Sequence, residues 1–115
     1  MSTSLPHLVV ARARELISDP EHWLQGEFAV SEDGRSVDPT DVRAHRFCAV
    51  AALRHTTHEL APRQHNLADR VQAALEQMVH LRHPQLSDCL ENLNDDCGHA
   101  TVLGLFDDFV TAEVA

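Results

Sequence analysis

A chain of 115 residues is long enough for one hydrophobic core and too short for two, because smaller units bury too little surface to offset chain entropy. Its 43% hydrophobic and 23% charged residues exclude a disordered or low-complexity chain. Eighteen acidic against nine basic side chains give a net charge of -9, which repels phosphate backbones and anionic membrane surfaces and argues against nucleic acid or membrane as a partner.

Nine histidines bring this acidic charge toward zero as pH falls through roughly 6 to 7. A solubility minimum near the sequence pI of about 5.3 is the expected consequence. The three cysteines are an odd number, no leader peptide is legible, and no apolar run approaches the ~20 residues of a membrane helix. Free thiols in a reducing cytoplasm are expected.

Leu5, Leu8, Val9, Arg12, Ala13, Leu16 and Ile17 follow the rhythm of an amphipathic helix with Ser4 available as N-cap. Ser18-Asp19-Pro20-Glu21 has the spacing of a capping box and predicts a short second helix carrying His22 and Trp23, ended by Gly26. From Glu27 to Val37 apolar residues alternate around the turn dipeptide Asp33-Gly34, which predicts a small hairpin or extended loop. An isolated two-stranded unit is marginal in water, so Phe28, Val30 or Val37 should lean on the helical body. Asp38-Pro39-Thr40-Asp41 reads as the start of a central helix, since residues 47–53 are apolar on every face. Asn66 precedes a fourth helix with the stripe Leu67, Val71, Ala74, Leu75, Met78 and Val79, extending to Leu81. His83-Pro84 breaks the chain. Leu86, Cys89, Leu90 and Leu93 then mark a short fifth helix, and Val102, Leu103, Phe106, Phe109 and Val110 the last. The reading is a single mainly α domain over residues 1–115, a compact bundle of five to six helices with a hairpin or extended loop after the second.

Several segments in this order resemble a family of small uncharacterised bacterial and phage proteins, domain of unknown function 6197. They are His22-Trp23-Leu24-Gln25-Gly26-Glu27-Phe28-Ala29, the Asp33-Gly34 turn, Arg46-Phe47-Cys48-Ala49-Val50-Ala51-Ala52-Leu53, and Leu93-Asn94-Asp95-Asp96 ahead of Val102-Leu103-Gly104-Leu105-Phe106-Asp107. The resemblance spans nearly the whole chain. Family members carry tryptophan where this chain has Leu93 and Phe47. The resemblance implies no activity to carry over.

The most informative stretch is Asn94 to Asp107, where turn-prone polar residues precede an amphipathic helix, so that side chains and free backbone N–H groups converge at its start. Asn94, Asp95 and Asp96 are candidates for a cation or for acid–base work. The competing reading is that at least one caps a backbone end and fixes the turn into the last helix. Trp23, the only tryptophan, is expected to seal the joint between hairpin and bundle. Cys48, in its apolar run, reads as a buried structural thiol, with His45 one turn earlier as the nearest base. The pairs His55/His58 and His80/His83 are expected to meet helix ends.

Cys89, Cys97 and His99 offer thiolate and imidazole, the donors zinc prefers, although their spacing differs from common zinc motifs and a fourth ligand has to come from His22, Cys48, His80 or His83. No nucleophile and base are recognisable together, and no glycine-rich phosphate loop is present. The expected function is therefore a small cytoplasmic interaction or regulatory module without catalysis or cofactor, working on a protein partner or on itself as a homodimer. The alternative is a zinc-binding protein or small hydrolase using Cys89, Cys97 and His99.

Overall fold

Ser4 caps the first helix, α1 (Leu5–Leu16), its hydroxyl accepting from the His7 N–H at 3.4 Å. Here and below, the computed structural model describes residues 4–86 and 89–112. Val9, Ala13 and Ile17, anticipated from their spacing, are fully buried together with Val10, while Leu8 of the anticipated stripe is 40% exposed. A single 3₁₀ turn (Pro20–His22) follows. It is capped by Asp19, not by Ser18 as the capping-box spacing suggests, with the Asp19 carboxylate accepting from the Glu21 N–H.

The Asp33-Gly34 turn forms as expected. Gly34 N–H donates to the Ser31 carbonyl at 2.9 Å, Ser31 N–H to the Arg35 carbonyl at 2.8 Å, and Val37 N–H to the Ala29 carbonyl at 3.1 Å. The strand leading into it, β1 (Ala29–Ser31), is wholly buried. Its regular ladder lies on its other edge, with β2 (Ala44–Phe47), in antiparallel register Ala29↔Phe47, Val30↔Arg46 and Ser31↔Ala44.

That second strand is where the sequence reading needs correction. Asp38-Pro39-Thr40-Asp41 does not start the central helix. Asp38 Oδ1 accepts from both the N–H and the hydroxyl of Thr40, at 2.9 and 2.7 Å, and Asp41 Oδ1 accepts from the Arg43 N–H at 2.8 Å while the Arg43 guanidinium grips both carboxylate oxygens. Aspartates that bond the backbone two residues on favour turns over helix, and two in succession divert the chain into a strand. The central helix, α2 (Ala49–Leu60), begins eleven residues after Asp38, with Cys48 as its N-cap.

All five residues from Ala49 to Leu53 are buried, and α2 packs against α1, α3 (Leu67–Arg82) and α4 (Leu90–Cys97). Its alanines allow neighbouring backbones to come close. On α3 the buried stripe is Leu67, Val71, Leu75 and Val79, one residue per turn. Leu81 falls outside it at 75% exposure. Asn66 holds the N-cap position of α3, but its side chain makes no cap bond.

The chain leaves α4 through Gly98, at φ 91°, a left-handed backbone that a side chain would strain. The last helix, α5 (His99–Ala112), starts immediately after it, and Val102, Leu105 and Phe106 face the core. Arg14 joins α1 to α5 by a two-pronged contact to Asp107, at 2.9 and 3.3 Å. The result is the mainly helical bundle with a small antiparallel pair that the hydrophobic periodicities indicate.

Candidate functional site

Asn94, Asp95 and Asp96 do not form a turn into the last helix. They lie in the last turn of α4. Aspartates near a helix C-terminus oppose the helix dipole, so this arrangement needs a tertiary reason, and Asn94 supplies it.

The Asn94 side chain is fully buried and every polar atom on it is engaged. Its Oδ1 accepts from the Trp23 indole N–H at 2.7 Å and from the Ala49 backbone N–H at 3.0 Å. Its Nδ2 donates to the Leu24 carbonyl at 2.9 Å and to Asp95 Oδ1 at 3.1 Å. An indole and an amide N–H only donate and a carbonyl only accepts, so the orientation of the Asn94 amide follows from its partners. Asn94 thus caps a helix, as the sequence suggests for this cluster. The helix is α2, 45 positions earlier in the chain, and not the one that follows.

The segment after the 3₁₀ turn closes on the same end of α4. Gln25 Nε2 donates to the Asn94 and Asp95 carbonyls at 3.2 and 3.0 Å, satisfying two groups that a helix C-terminus leaves open. Gly26 N–H donates to Asp95 Oδ1 at 2.9 Å, with Gly26 itself at φ 81°. Leu24 N–H donates to the Phe47 carbonyl at 3.1 Å, which ties this segment to β2 as well. Residues 23–26 are therefore clasped between the hairpin and α4.

Trp23 is half-buried and packs on His99, ring centres 5.0 Å apart. His99 Nε2 lies 2.6 Å from the Ile17 carbonyl, and since a carbonyl only accepts, that nitrogen carries the proton. The placement of Trp23 agrees with its expected role at the joint. Asp96 is exposed and lies beside the cluster without entering it.

Cys48 borders the clasp, in a notch of about 170 Å³ with Gly26, Phe28, Glu91, Asn94 and Asp95. It is the N-cap of α2 and not a member of the helix, and its Sγ accepts from the Ala51 N–H at 3.4 Å. A helix N-terminus ordinarily lowers a thiol pKa. Here burial raises it, the Ala51 and Val50 N–H groups oppose that rise, and the Glu91 and Asp95 carboxylates reinforce it. The thiol is held protonated. His45 lies on β2, not one helical turn away, and its ring packs edge-on against His22 at 5.0 Å.

The remaining candidates stand apart. Cys89 and Cys97 occupy the N-cap and the last residue of α4, separated by eight residues and so by about 12 Å of helix axis, while His99 is engaged at Ile17. The structure does not bring these three together, and among the described residues no three His, Cys, Asp or Glu side chains are grouped to hold a metal ion. His55 Nδ1 donates to the Pro39 carbonyl at 2.8 Å instead of to its own helix end. His80 lies in the last turn of α3 and His83 is its C-cap, as expected for that pair.

Sequence reasoning missed Gln25 and the Ala49 amide. The signal available was the co-occurrence of the Trp23-Leu24-Gln25-Gly26 and Asn94-Asp95 segments, which now prove to be two halves of one contact. A helical bundle whose hairpin is fastened by one buried asparagine is the class of protein that fold and site define. The chain belongs to DUF6197, a family of unknown function, whose model matches residues 1–111. No curated protein and no solved structure matches it.

Proposed function

We propose that the chain is a small cytoplasmic interaction module, without catalysis, that pairs with a second copy of itself through the hairpin face. The observation that carries this reading is Val42. It is 98% exposed at the tip of the turns between β1 and β2, on a loop braced by the Asp38 and Asp41 side chains. Beside it runs an open groove of about 570 Å³ between the two hairpin loops, bordered by Glu32, Asp33, Arg35, Arg43 and His45. An apolar side chain presented on a rigid tip beside a groove suits insertion into a partner.

Charge favours a second copy as that partner. The whole chain carries -9, so two copies repel at long range. This face is locally mixed, with Arg35 against Asp33 at 3.4 Å and Arg43 against Asp41 at 2.9 Å, so it carries both signs of charge that a self-complementary two-fold contact requires. The polar cluster around Asn94 supports the non-catalytic part of the reading, because its donors and acceptors already serve the fold. No helix among the described residues is long and apolar enough to cross a membrane, and the three thiols are unpaired, in keeping with a reducing compartment.

Light scattering on the eluting protein across a concentration series tests the proposal. The mean mass should rise toward that of two chains, and Val42→Asp should hold it at one chain while leaving the circular dichroism spectrum unchanged. A mass of one chain at every concentration, or association that Val42→Asp leaves intact, would overturn it.

A further inference from the structure

His22 and His45, far apart in the chain, bring their rings to 5.0 Å between centres, nearly perpendicular at 82°. His22 ends the 3₁₀ turn, and the backbone on both sides of it is tied down. Its own N–H donates to the Asp19 carbonyl at 2.9 Å, and Leu24 N–H donates to the Phe47 carbonyl on β2 at 3.1 Å.

His45 reaches that point through an irregularity in the strand. The register passes from Val30↔Arg46 to Ser31↔Ala44, so one step along β1 is matched by two along β2, and His45 is the extra residue of a β-bulge. Bulges re-aim a side chain and are over-represented beside functional sites. Here the bulged residue carries the imidazole that meets His22.

The nitrogens of this pair are uncommitted. Other imidazoles are fastened to the fold: His7 to Ser4 and the Phe109 carbonyl, His55 to the Pro39 carbonyl, His99 to the Ile17 carbonyl. Among the described residues neither His22 nor His45 makes a hydrogen bond, although both are half-buried. Their separation is also that of two rings on one ion. Imidazoles that share a metal at about 2.0 to 2.1 Å from each ligating nitrogen, with about 90 to 110° between the bonds, hold their centres about 4.5 to 5.2 Å apart.

The geometry points to a two-imidazole site for a divalent transition ion, zinc or copper, formed by His22 and His45 of one chain. Imidazole suits these ions, whereas magnesium and calcium prefer oxygen donors. The net charge of -9 raises the local concentration of any cation. No third His, Cys, Asp or Glu among the described residues is grouped with the pair, so water completes the coordination and the ion exchanges with solvent. Such an ion is lost on purification, unlike one in a closed four-ligand site. While bound, it fastens the 3₁₀ turn to β2. His45 also borders the groove beside Val42, but both ligands belong to one chain, and the site stands whether or not the chain self-associates.

Zinc chloride titrated into the isotope-labelled full chain, in a non-chelating buffer at mildly alkaline pH, is the test, with magnesium chloride as the control. The imidazole nitrogens of His22 and His45 should shift together, saturate with one common constant that does not depend on protein concentration, and ignore magnesium. This comparison is made in the parent chain and needs no substitution. His22→Ala and His45→Ala should each weaken binding by roughly tenfold or more, because a single imidazole loses the chelate. Zinc should raise the melting temperature of the parent chain and leave that of His45→Ala unchanged. Shifts that never saturate, different constants for the two rings, or a constant that changes with protein concentration would each overturn the assignment. So would shifts centred on Cys89 or Cys97, an equal response to magnesium, or single variants that bind as tightly as the parent.

Discussion

Replacing Asn94 with alanine strips four hydrogen bonds from one buried point and tests whether the cluster that looks most like a site in the sequence is the fastening of the fold. Three partners lose their bond inside the structure: the Ala49 N–H at the start of α2, the Trp23 indole N–H and the Leu24 carbonyl. The fourth, Asp95, is exposed and turns to water. A buried group left unmet costs about 1 to 3 kcal/mol, with the low end applying to Trp23 and Leu24, which solvent partly reaches. Alanine returns about 0.5 kcal/mol as the better helix former. The net loss should be about 3 kcal/mol. For 115 residues the unfolding entropy is about 0.24 kcal/mol/K, so the melting temperature should fall by roughly 12 °C. Urea unfolding followed by circular dichroism measures the loss, with Asp96→Ala as the neighbour on the same helix that should change stability by less than about 0.5 kcal/mol. A double-mutant cycle with Trp23→Phe should return a coupling of about 1 kcal/mol for the indole bond. An Asn94→Ala loss below about 1 kcal/mol would refute the reasoning and return the cluster to candidacy as a ligand site.

Burial holds the Cys48 thiol above its ordinary value of 9.0, so the unfolded chain ionises first. Its contribution is whole below that pH and is lost as pH climbs through the folded value. Stability should therefore decline above pH 9, and Cys48→Ala should flatten the decline in a series of melts. In native thiol titration at pH 8, the half-exposed Cys89 and Cys97 should react well before Cys48, which should react only on unfolding. The Asp41 carboxyl is pulled down to about 2 by the Arg43 guanidinium and N–H, so its bracing of the Val42 loop is present above the ordinary 3.8 and lost as pH falls toward 2. Carboxyl resonances should show that midpoint, and Arg43→Ala should return it toward 3.8. Elemental analysis of protein purified without a histidine tag should find no stoichiometric zinc. One zinc per chain with shielded Cys89 and Cys97 would require α4 to rearrange.

The helical faces were legible because burial recurs with the helix period. Val9, Val10, Ala13 and Ile17 show it on α1, and Leu67, Val71, Leu75 and Val79 on α3. The stretch 38–48 was not, because Asp38 and Asp41 read equally as helix caps and as turn formers. Only pairing with β1, whose register joins residues as far apart as Ala29 and Phe47, decides between them. Asn94 was legible as a capping residue, yet its helix was not, because the α2 N-terminus reaches it through tertiary packing alone.

The claim that this is a self-pairing module through the hairpin face is tested most directly by mixing labelled and unlabelled chains and recording only intermolecular proton contacts. The account predicts contacts from the Val42 methyls of one copy to residues 31–35 and 43–45 of the other. Contacts confined to another surface, such as that of Leu81, or no intermolecular contacts at any concentration, would contradict it.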